Sequence, residues 1–412
     1  MNQVSKYLLK FIDTHLKKFK PSRPLSRYSR TLLYSLYQKI ETSKKKVISS
    51  SPPKKHSINN DSIPRGELYD ILDQEIKSKI ETSPKTGSQY QYTILNGSQK
   101  PKNINVFILF TFSSKDEETR LYKNVQTYMD NCNDLIHAWL LTVADCIPDN
   151  CSNELTIYLY LTDLHKLLPE TPKTPLSPVH VNTAFTTACS NSTNIHIFRL
   201  EEWFKVFIHE TCHCFGLDFS HNTGLTQKSE KDIKGLFNIP GVSTIKLFET
   251  YCEMWAEIVN ILFVIPVSNA THHRKERMIE KIETFLQYEQ THSLFQCAKV
   301  LDHYGVKYSE LVANTGNTGA YKENTDTFCY YVVKSMIMYD VNGFLDFVGN
   351  NGCLFKIVET KEAMDKYINI VRGVYRDPEY IEKIEGLQSF IEKQKKNKNK
   401  LEYKTLRMSL FG

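Results

Sequence analysis

The sequence predicts an α+β fold, in which a mixed sheet is followed by a mainly helical C-terminal part. Apolar runs typical of strands lie between residues 105 and 200, interrupted by one long stretch, Glu117–Cys146, with helical spacing of its apolar residues. Helical spacing returns at Thr244 and continues to about Glu392. This order of strand, long helix, strands and helices predicts a sheet backed by one helix, with a second helix beneath it.

Each strand is predicted from its own residues. Asn105–Phe112 is a continuous apolar run, which is typical of a buried strand, and Glu154–Leu161 alternates in the manner of a half-buried one. Pro178–Thr187 and Ile195–Leu200 are predicted as further strands before the next helix. Residues 216–243 contain four glycines and a proline, so we expect a loop there.

Composition indicates a globular intracellular protein. The chain has 412 residues, of which 41% are apolar, so it can bury a substantial core. It has no run of 18 apolar residues and no secretory signal at its N-terminus, so we expect a soluble protein without a transmembrane segment. The ten cysteines follow no framework spacing, which predicts reduced thiols.

Positive charge is concentrated at the N-terminus. Residues 1–56 hold 14 Lys and Arg against Asp13 and Glu41, a net charge of +12, so the rest of the chain carries −6 of the total of +6. Such an arm can bind nucleic acid or an anionic membrane surface, or it can be a solvated extension with no specific ligand. Together with the polar stretch from Thr42 to Asp61, it predicts a basic N-terminal arm and linker over residues 1–60.

The most informative stretch is Ile208–His213, which contains His-Glu-x-x-His inside a helical pattern. Because His209 and His213 are four residues apart, both imidazoles lie on one helical face and can reach one metal ion at about 2.0–2.1 Å. Glu210 lies beside this pair, where it can accept a proton from a water without being a ligand. The pattern is typical of zinc-dependent hydrolases.

Two histidines leave a catalytic zinc site one protein ligand short. The three-histidine continuation of the motif is disfavoured, because Phe219 stands where it requires a histidine. A better source is the helical stretch around Phe248, in which Glu249, Glu253 and Glu257 recur every four residues and share one face. No Lys or Arg follows nearby to pair with them, and a divalent cation would offset their mutual repulsion.

Together, the two motifs resemble the zincin superfamily of metallopeptidases, in particular its gluzincin branch. Glu249, followed by Cys252, Glu253 and Ala256, is similar to the pattern Glu-x-x-Ala-Asp-x-x-Ala of some gluzincins, which implies that Glu249 is the third zinc ligand and Glu253 supports the site from behind. In the other register, Glu253-Met-Trp-Ala-Glu257 is similar to lethal-factor-type toxin peptidases and makes Glu253 the ligand. The small residues three and seven positions after Glu249 favour the first register.

The resemblance covers roughly residues 100–265, as a zincin-like catalytic core, followed by a helical subdomain at 266–392 and a basic tail at 393–412. It implies a zinc metallopeptidase, either a metalloendopeptidase or an aminopeptidase, with one Zn²⁺ ion and a peptide or protein substrate. An edge strand, Val181–Thr187 or Ile195–Phe198, would pair with that substrate. The Lys-, Asn-, Ile- and Tyr-rich composition is also similar to uncharacterised zincin-like proteins of large DNA viruses, which implies the host cytoplasm or the virion as the location.

Two other functions stay open from the residues alone. The chain can be a catalytically inactive zincin-fold protein that binds a partner or serves in a virion, attached through its basic arm. It can also bind nucleic acid through that arm, with a zinc ion that is only structural. An inactive protein has no need of the carboxylate of Glu210. A structural zinc would favour four protein ligands, whereas only three can be assigned. The residue that would stabilise an oxyanion stays open among several downstream side chains: Tyr321, Tyr330, Tyr331, His292 and His303.

Overall fold

The structure is a computed structural model, and it describes residues 3–58, 63–95, 100–237, 239–265, 274–316, 318–349, 353–397 and 399–412. The first half contains, in order, α1 (Gln3–Phe11), α2 (Arg27–Ser49), β1 (Lys54–Ile58), α3 (Gln74–Thr82), β2 (Lys85–Ile94), β3 (Lys102–Thr111), α4 (Lys115–Val143), β4 (Glu154–Leu161), α5 (Pro178–Val181), β5 (Ala184–Thr186), β6 (Ser192–Ile197) and α6 (Trp203–Cys214). The second half contains α7 (Thr223–Lys234), α8 (Leu247–Val264), α9 (Arg274–His303), α10 (Tyr308–Ala313), α11 (Lys334–Tyr339), α12 (Val341–Val348), α13 (Lys361–Val374), α14 (Pro378–Lys393) and α15 (Leu401–Lys404).

The chain forms two compact units. The sheet unit consists of Leu36–His165 and Asn182–Leu217, and the helical unit consists of Met1–Ser35, Lys166–Val181 and Asp218–Gly412. A mixed sheet with a backing helix and a motif helix, followed by a helical C-terminal part, confirms the predicted α+β class. Among the helices of the described residues, none has the length and apolar character needed to cross a bilayer.

In the sheet unit, the strands of the described residues form one sheet in the order β1-β2-β3-β4-β6-β5. The central neighbours β3, β4 and β6 run parallel, whereas β1, β2 and β5 pair antiparallel with their neighbours. Two neighbouring parallel strands need a crossover connection, and α4 forms the connection between β3 and β4. On the face that α4 covers, the Tyr90 hydroxyl of β2 donates to Asp130 at 2.7 Å.

The opposite face of the sheet carries a row of stacked rings. Phe107, Tyr158, His196 and Phe185 occupy paired positions on four neighbouring strands. Successive ring centroids are 5.2, 4.5 and 5.3 Å apart, within the range of favourable aromatic pairs. Residues around α3 cover part of this face, because Tyr69, Leu72, Ile76 and Ile80 pack with Tyr160 and Phe198 in one apolar cluster.

Several elements differ from the sequence predictions. Pro178–Thr187 is a strand only at its end, because Pro178 starts the short helix α5 and proline suits a first helical position. The predicted loop at 216–243 contains α7, which Asn222 caps by accepting from the backbone N–H of Leu225.

The predicted linker from Thr42 to Asp61 also differs from the structure. Helix α2 continues to Ser49, and β1 follows and pairs with β2 in the register Lys54 to Gln91. Residues 59–62 lie outside the described part. The basic N-terminal stretch is therefore largely helix and strand.

The end of the chain, assigned to a basic tail by sequence, is instead packed into the helical unit. Leu406, Leu410 and Phe411 are at most 1% exposed. Side chains from α9 hold the backbone there: Lys299 donates to the carbonyls of residues 402 and 405, and the Glu289 carboxylate accepts from the N–H of Leu410 at 2.9 Å.

Candidate metal centre

The motif helix α6 packs against β5, β6 and the backing helix α4 inside the sheet unit. Trp139 of α4 donates from its ring nitrogen to the Thr211 hydroxyl at 2.9 Å, and that hydroxyl donates to the carbonyl of Ile208 at 2.6 Å. Both partners are buried, so this contact fixes the rotation of α6 about its axis at the level of the two histidines.

The C-terminal end of α6 requires a glycine. Gly216 has a φ of +60°, and the N–H groups of Gly216 and Leu217 donate to the carbonyls of His213 and Cys212, which closes the last helical turn. A Cβ at this position would lie 3.3 Å from the Cβ of Cys189. Gly216 is therefore explained by the end of the helix, not by a three-histidine motif.

A disulfide between Cys151 and Cys189 lies next to Gly216. The prediction of reduced thiols is therefore wrong for this pair, and it is also wrong for Cys146 and Cys353, which are disulfide-bonded as well. The sequence did not reveal the bridge between Cys151 and Cys189 because these two cysteines are 38 residues apart and are brought together only by the ends of neighbouring strands β4 and β6. The bridge and the neighbouring bond from Ser152 to the Cys214 carbonyl, at 2.9 Å, support the end of the motif helix.

The two histidines converge as the motif predicts. Their Nε2 atoms lie 3.2 Å apart, and the ring planes make an angle of 69°. Two ligands of one tetrahedral ion at about 2.0–2.1 Å stand roughly 3.3 Å from each other. The observed separation of His209 and His213 therefore fits the occupation of two corners of a tetrahedral zinc site.

The chemistry-bearing residues of α6 are largely withdrawn from solvent. His209 and Glu210 are 6% and 8% exposed, and His213 is half-buried. A carboxylate in such surroundings interacts more strongly with nearby charge than it would in water. The thiols of Cys212 and Cys214, by contrast, are buried and donate to carbonyls of the same helix, as expected for structural cysteines.

Helix α8 of the helical unit carries the three glutamates, and their surroundings differ. Glu257 is fully buried and forms an ion pair with Lys334 of α11 at 2.6 Å. Glu253 is 1% exposed, whereas Glu249 is half-buried and accepts from the Tyr330 hydroxyl at 2.9 Å. From the sequence, no Lys or Arg was expected to pair with these acids. That expectation is wrong for Glu257, whose partner Lys334 lies 77 residues away in the sequence.

This difference bears on the choice of register. If Glu253 were the ligand, Glu257 would have to support the site from behind, but its carboxylate is paired with Lys334 in the interior of the helical unit. Glu249, at the first turn of α8, is the least buried of the three. The helical unit therefore favours the register in which Glu249 is the ligand.

Other residues singled out in the sequence have structural surroundings. Phe219 is fully buried and packs edge-to-face against Phe248, so it is a core residue. Among the candidates for an oxyanion group, Tyr331 donates to the carbonyl of Leu406, and the ring of His292 lies 3.1 Å from the carbonyl of Arg407. The Tyr330 hydroxyl, in turn, donates to the predicted ligand Glu249, and no local sequence signal marks this tyrosine.

Comparison with protein-family models, curated proteins and solved structures finds no match to the chain.

Proposed function

We propose that the chain is a zinc-dependent metallopeptidase whose ion is held by His209, His213 and Glu249. The observation that carries the proposal is the convergence of the two imidazole Nε2 atoms at 3.2 Å on a helix whose sequence is His-Glu-x-x-His. Three protein ligands are the usual number in a catalytic zinc site, which keeps its fourth position for water or substrate.

When bound, zinc supplies a Lewis acid for the scissile carbonyl and lowers the pKa of its water to near 7. Glu210, next to His209 and 8% exposed, would accept the proton of the attacking water. The same carboxyl then returns the proton to the leaving amine. Glu253, one turn after Glu249 and buried, supports the site from behind the ligands.

The substrate proposed for this site is an extended peptide or a segment of a protein. In the sheet unit, β5 pairs only with β6 among the described strands, so it is an edge strand of the sheet. An extended peptide can add to such an edge through main-chain hydrogen bonds. This assignment rests on the zinc site and on the predicted resemblance to gluzincins.

The test compares the full-length wild type with Glu210→Gln and His213→Ala for bound zinc and for cleavage of a peptide library. We expect one zinc ion per wild-type chain and cleavage that depends on it. Glu210→Gln should keep the zinc but cleave at least about 100-fold more slowly, because the proton acceptor is lost. His213→Ala should lose both.

Two results would overturn the proposal. A wild type without stoichiometric zinc would exclude the metal site. Zinc-loaded Glu210→Gln that cleaves as well as wild type would exclude the assigned mechanism. Zinc binding without any cleavage by the wild type would favour the alternative, an inactive protein that binds a partner or belongs to a virion.

The anionic partner of residues 1–56 stays a prediction. Exposed lysines at the end of α2 and the start of β1, among them Lys45, Lys46 and Lys54, provide positive charge, while Lys55 is paired with Asp130. Binding to nucleic acid or to anionic vesicles through this charge should weaken as salt rises. Replacing Lys45, Lys46 and Lys54 with glutamine should weaken that binding without changing the zinc content.

A further inference from the structure

The first turn of α8 is fastened to one short segment of the helical unit. Lys246, immediately before α8, pairs with Asp326 at 3.0 Å, and the Thr250 hydroxyl donates to the carbonyl of Cys329 at 3.3 Å. Between these two contacts, the Tyr330 hydroxyl donates to Oε2 of Glu249 at 2.9 Å. Three successive contacts therefore hold the start of α8, and the middle one is made to the carboxylate of the proposed ligand.

The segment that supplies these contacts has an uncommon backbone. Residues Phe328–Val333 form a π-helical turn that continues into α11. Such turns are rare, and they redirect side chains relative to an ordinary helix, frequently at functional sites. Here the turn buries Cys329 and Tyr331, whereas Tyr330 remains half-buried and reaches α8.

The start of this π-helical turn is itself anchored. The Glu323 carboxylate accepts from the backbone N–H of Phe328 at 2.6 Å and from the Tyr321 hydroxyl at 2.8 Å. Tyr321 is fully buried, so the anchor lies in the interior of the helical unit. The start of the turn that carries Tyr330 is therefore held by the surrounding fold, independently of the bond from Tyr330 to Glu249.

We propose that Tyr330 is a positioning residue for zinc binding, which restricts Glu249 to a single ligand oxygen. This inference rests on the proposed function and deepens it. A hydroxyl that donates to Oε2 leaves Oε1 as the atom offered to the ion, and it holds the carboxyl plane in one orientation before the metal arrives. A carboxylate that is already oriented loses less conformational freedom on binding. Partners that orient a ligand in this way typically change metal affinity 10- to 100-fold.

A matched control lies next to Tyr330 in the sequence. Tyr331 is buried in the same π-helical turn and donates its hydroxyl to a backbone carbonyl, that of Leu406, at 2.6 Å. Tyr331→Phe therefore removes, from the same turn, a tyrosine hydrogen bond that is made to a backbone carbonyl. If Tyr330 served only to stabilise the fold, the two substitutions would have the same kind of effect.

The experiment uses the full chain as wild type, Tyr330→Phe, Tyr331→Phe, Glu249→Gln and the double variant Tyr330→Phe/Glu249→Gln. The zinc dissociation constant is measured by competition with a chromophoric chelator, and the coordination geometry by the visible spectrum of the Co²⁺-loaded proteins. Thermal unfolding of the metal-free proteins reports on stability. We expect Tyr330→Phe to raise the zinc dissociation constant 10- to 100-fold and to alter the Co²⁺ spectrum. Tyr331→Phe should bind zinc like wild type.

The double variant tests whether Tyr330 acts through Glu249, because Tyr330→Phe should have no further effect on affinity once Glu249 is replaced. A Tyr330→Phe protein with the wild-type dissociation constant and Co²⁺ spectrum would overturn the inference and leave the proposed function standing. A wild type that binds no zinc would overturn both. An equal loss of affinity in Tyr330→Phe and Tyr331→Phe would show a role in stability alone and would also overturn the inference.

Discussion

Helices α6 and α8 are both buried along almost their whole length, yet they use their polar residues differently. In α6, His209 and His213 are directed at each other, with their Nε2 atoms 3.2 Å apart. In α8, three glutamates with the same spacing have separate surroundings: Glu257 forms an ion pair with Lys334 of α11, and Glu249 accepts from the Tyr330 hydroxyl.

This comparison shows what spacing along a helix can and cannot predict. Four-residue spacing places side chains on one face, and for two short-reaching imidazoles that is enough to bring them together. For the glutamates, the spacing determines only the helical face. The partner of each carboxylate depends on the residues that pack opposite it. In α8, Lys334 pairs with Glu257, which makes Glu257 a structural residue. Tyr330 donates to Glu249, which remains the candidate ligand.

The largest effect on stability should come from breaking the Glu257–Lys334 pair. Lys334→Met removes the cation that is paired with a fully buried carboxylate, which should lower the free energy of unfolding by about 3–5 kcal/mol. Urea unfolding of the metal-free protein measures this. Glu249→Gln is the matched control on the same helix, and we expect it to change stability much less. A loss below about 1 kcal/mol for Lys334→Met would remove the contrast between the two glutamates.

A smaller effect is expected at the end of α6, where the disulfide supports Gly216. The double substitution Cys151→Ser/Cys189→Ser opens a bridge between residues 38 apart and should lower the free energy of unfolding by about 2–4 kcal/mol. Mass spectrometry of a digest prepared without reductant should show the two cysteine peptides linked. Recovery of those peptides only as separate thiols would contradict the bridge and its support of the motif helix.

The smallest effect is the pH dependence of stability that His196 of β6 causes. His196 is fully buried in the aromatic row, and neither ring nitrogen has a hydrogen-bond partner within the described residues. Burial lowers its pKa from 6.5 to about 4. Between these pH values the unfolded chain binds the proton and the folded chain does not, so stability is full above pH 6.5 and falls as pH drops towards 4.

This loss amounts to about 2 kcal/mol by pH 5 and approaches about 3 kcal/mol near pH 4, at 1.36 kcal/mol per pKa unit. Thermal unfolding at pH 7.5 and pH 5 measures it. His196→Phe should lose less stability than wild type between the two conditions, because it keeps a ring in the row but carries no titrating group. The exposed His56→Asn should behave like wild type. An equal loss in His196→Phe and wild type would show that the buried imidazole does not contribute.

Much of the sheet unit could be predicted from the sequence. The central strands β3 and β4, the helix α4 between them and the motif helix have strong apolar patterns, and their bounds lie close to the predicted ones. Strand β2 could not be found in this way, because its sequence KTGSQYQYTI is mainly polar. Its pairing with β3 and the bond from Tyr90 to α4 stabilise it instead, and both depend on distant parts of the chain.

In the candidate site, only the residues that belong to a local sequence pattern could be predicted. His209, Glu210 and His213 follow from a six-residue pattern, and the three glutamates of α8 follow from a ten-residue one. Tyr330 is 81 residues from Glu249, and its direction depends on a π-helical turn that has no simple sequence signal. The residues that distinguish one glutamate from another therefore come from the tertiary structure.

The most direct test of the central claim is the zinc content of three full-length proteins after exhaustive dialysis: wild type, Glu249→Gln and Glu253→Gln. If His209, His213 and Glu249 hold the ion, wild type keeps one zinc per chain, Glu249→Gln loses it and Glu253→Gln retains it. Wild type without zinc, or retention by Glu249→Gln together with loss by Glu253→Gln, would contradict the claim.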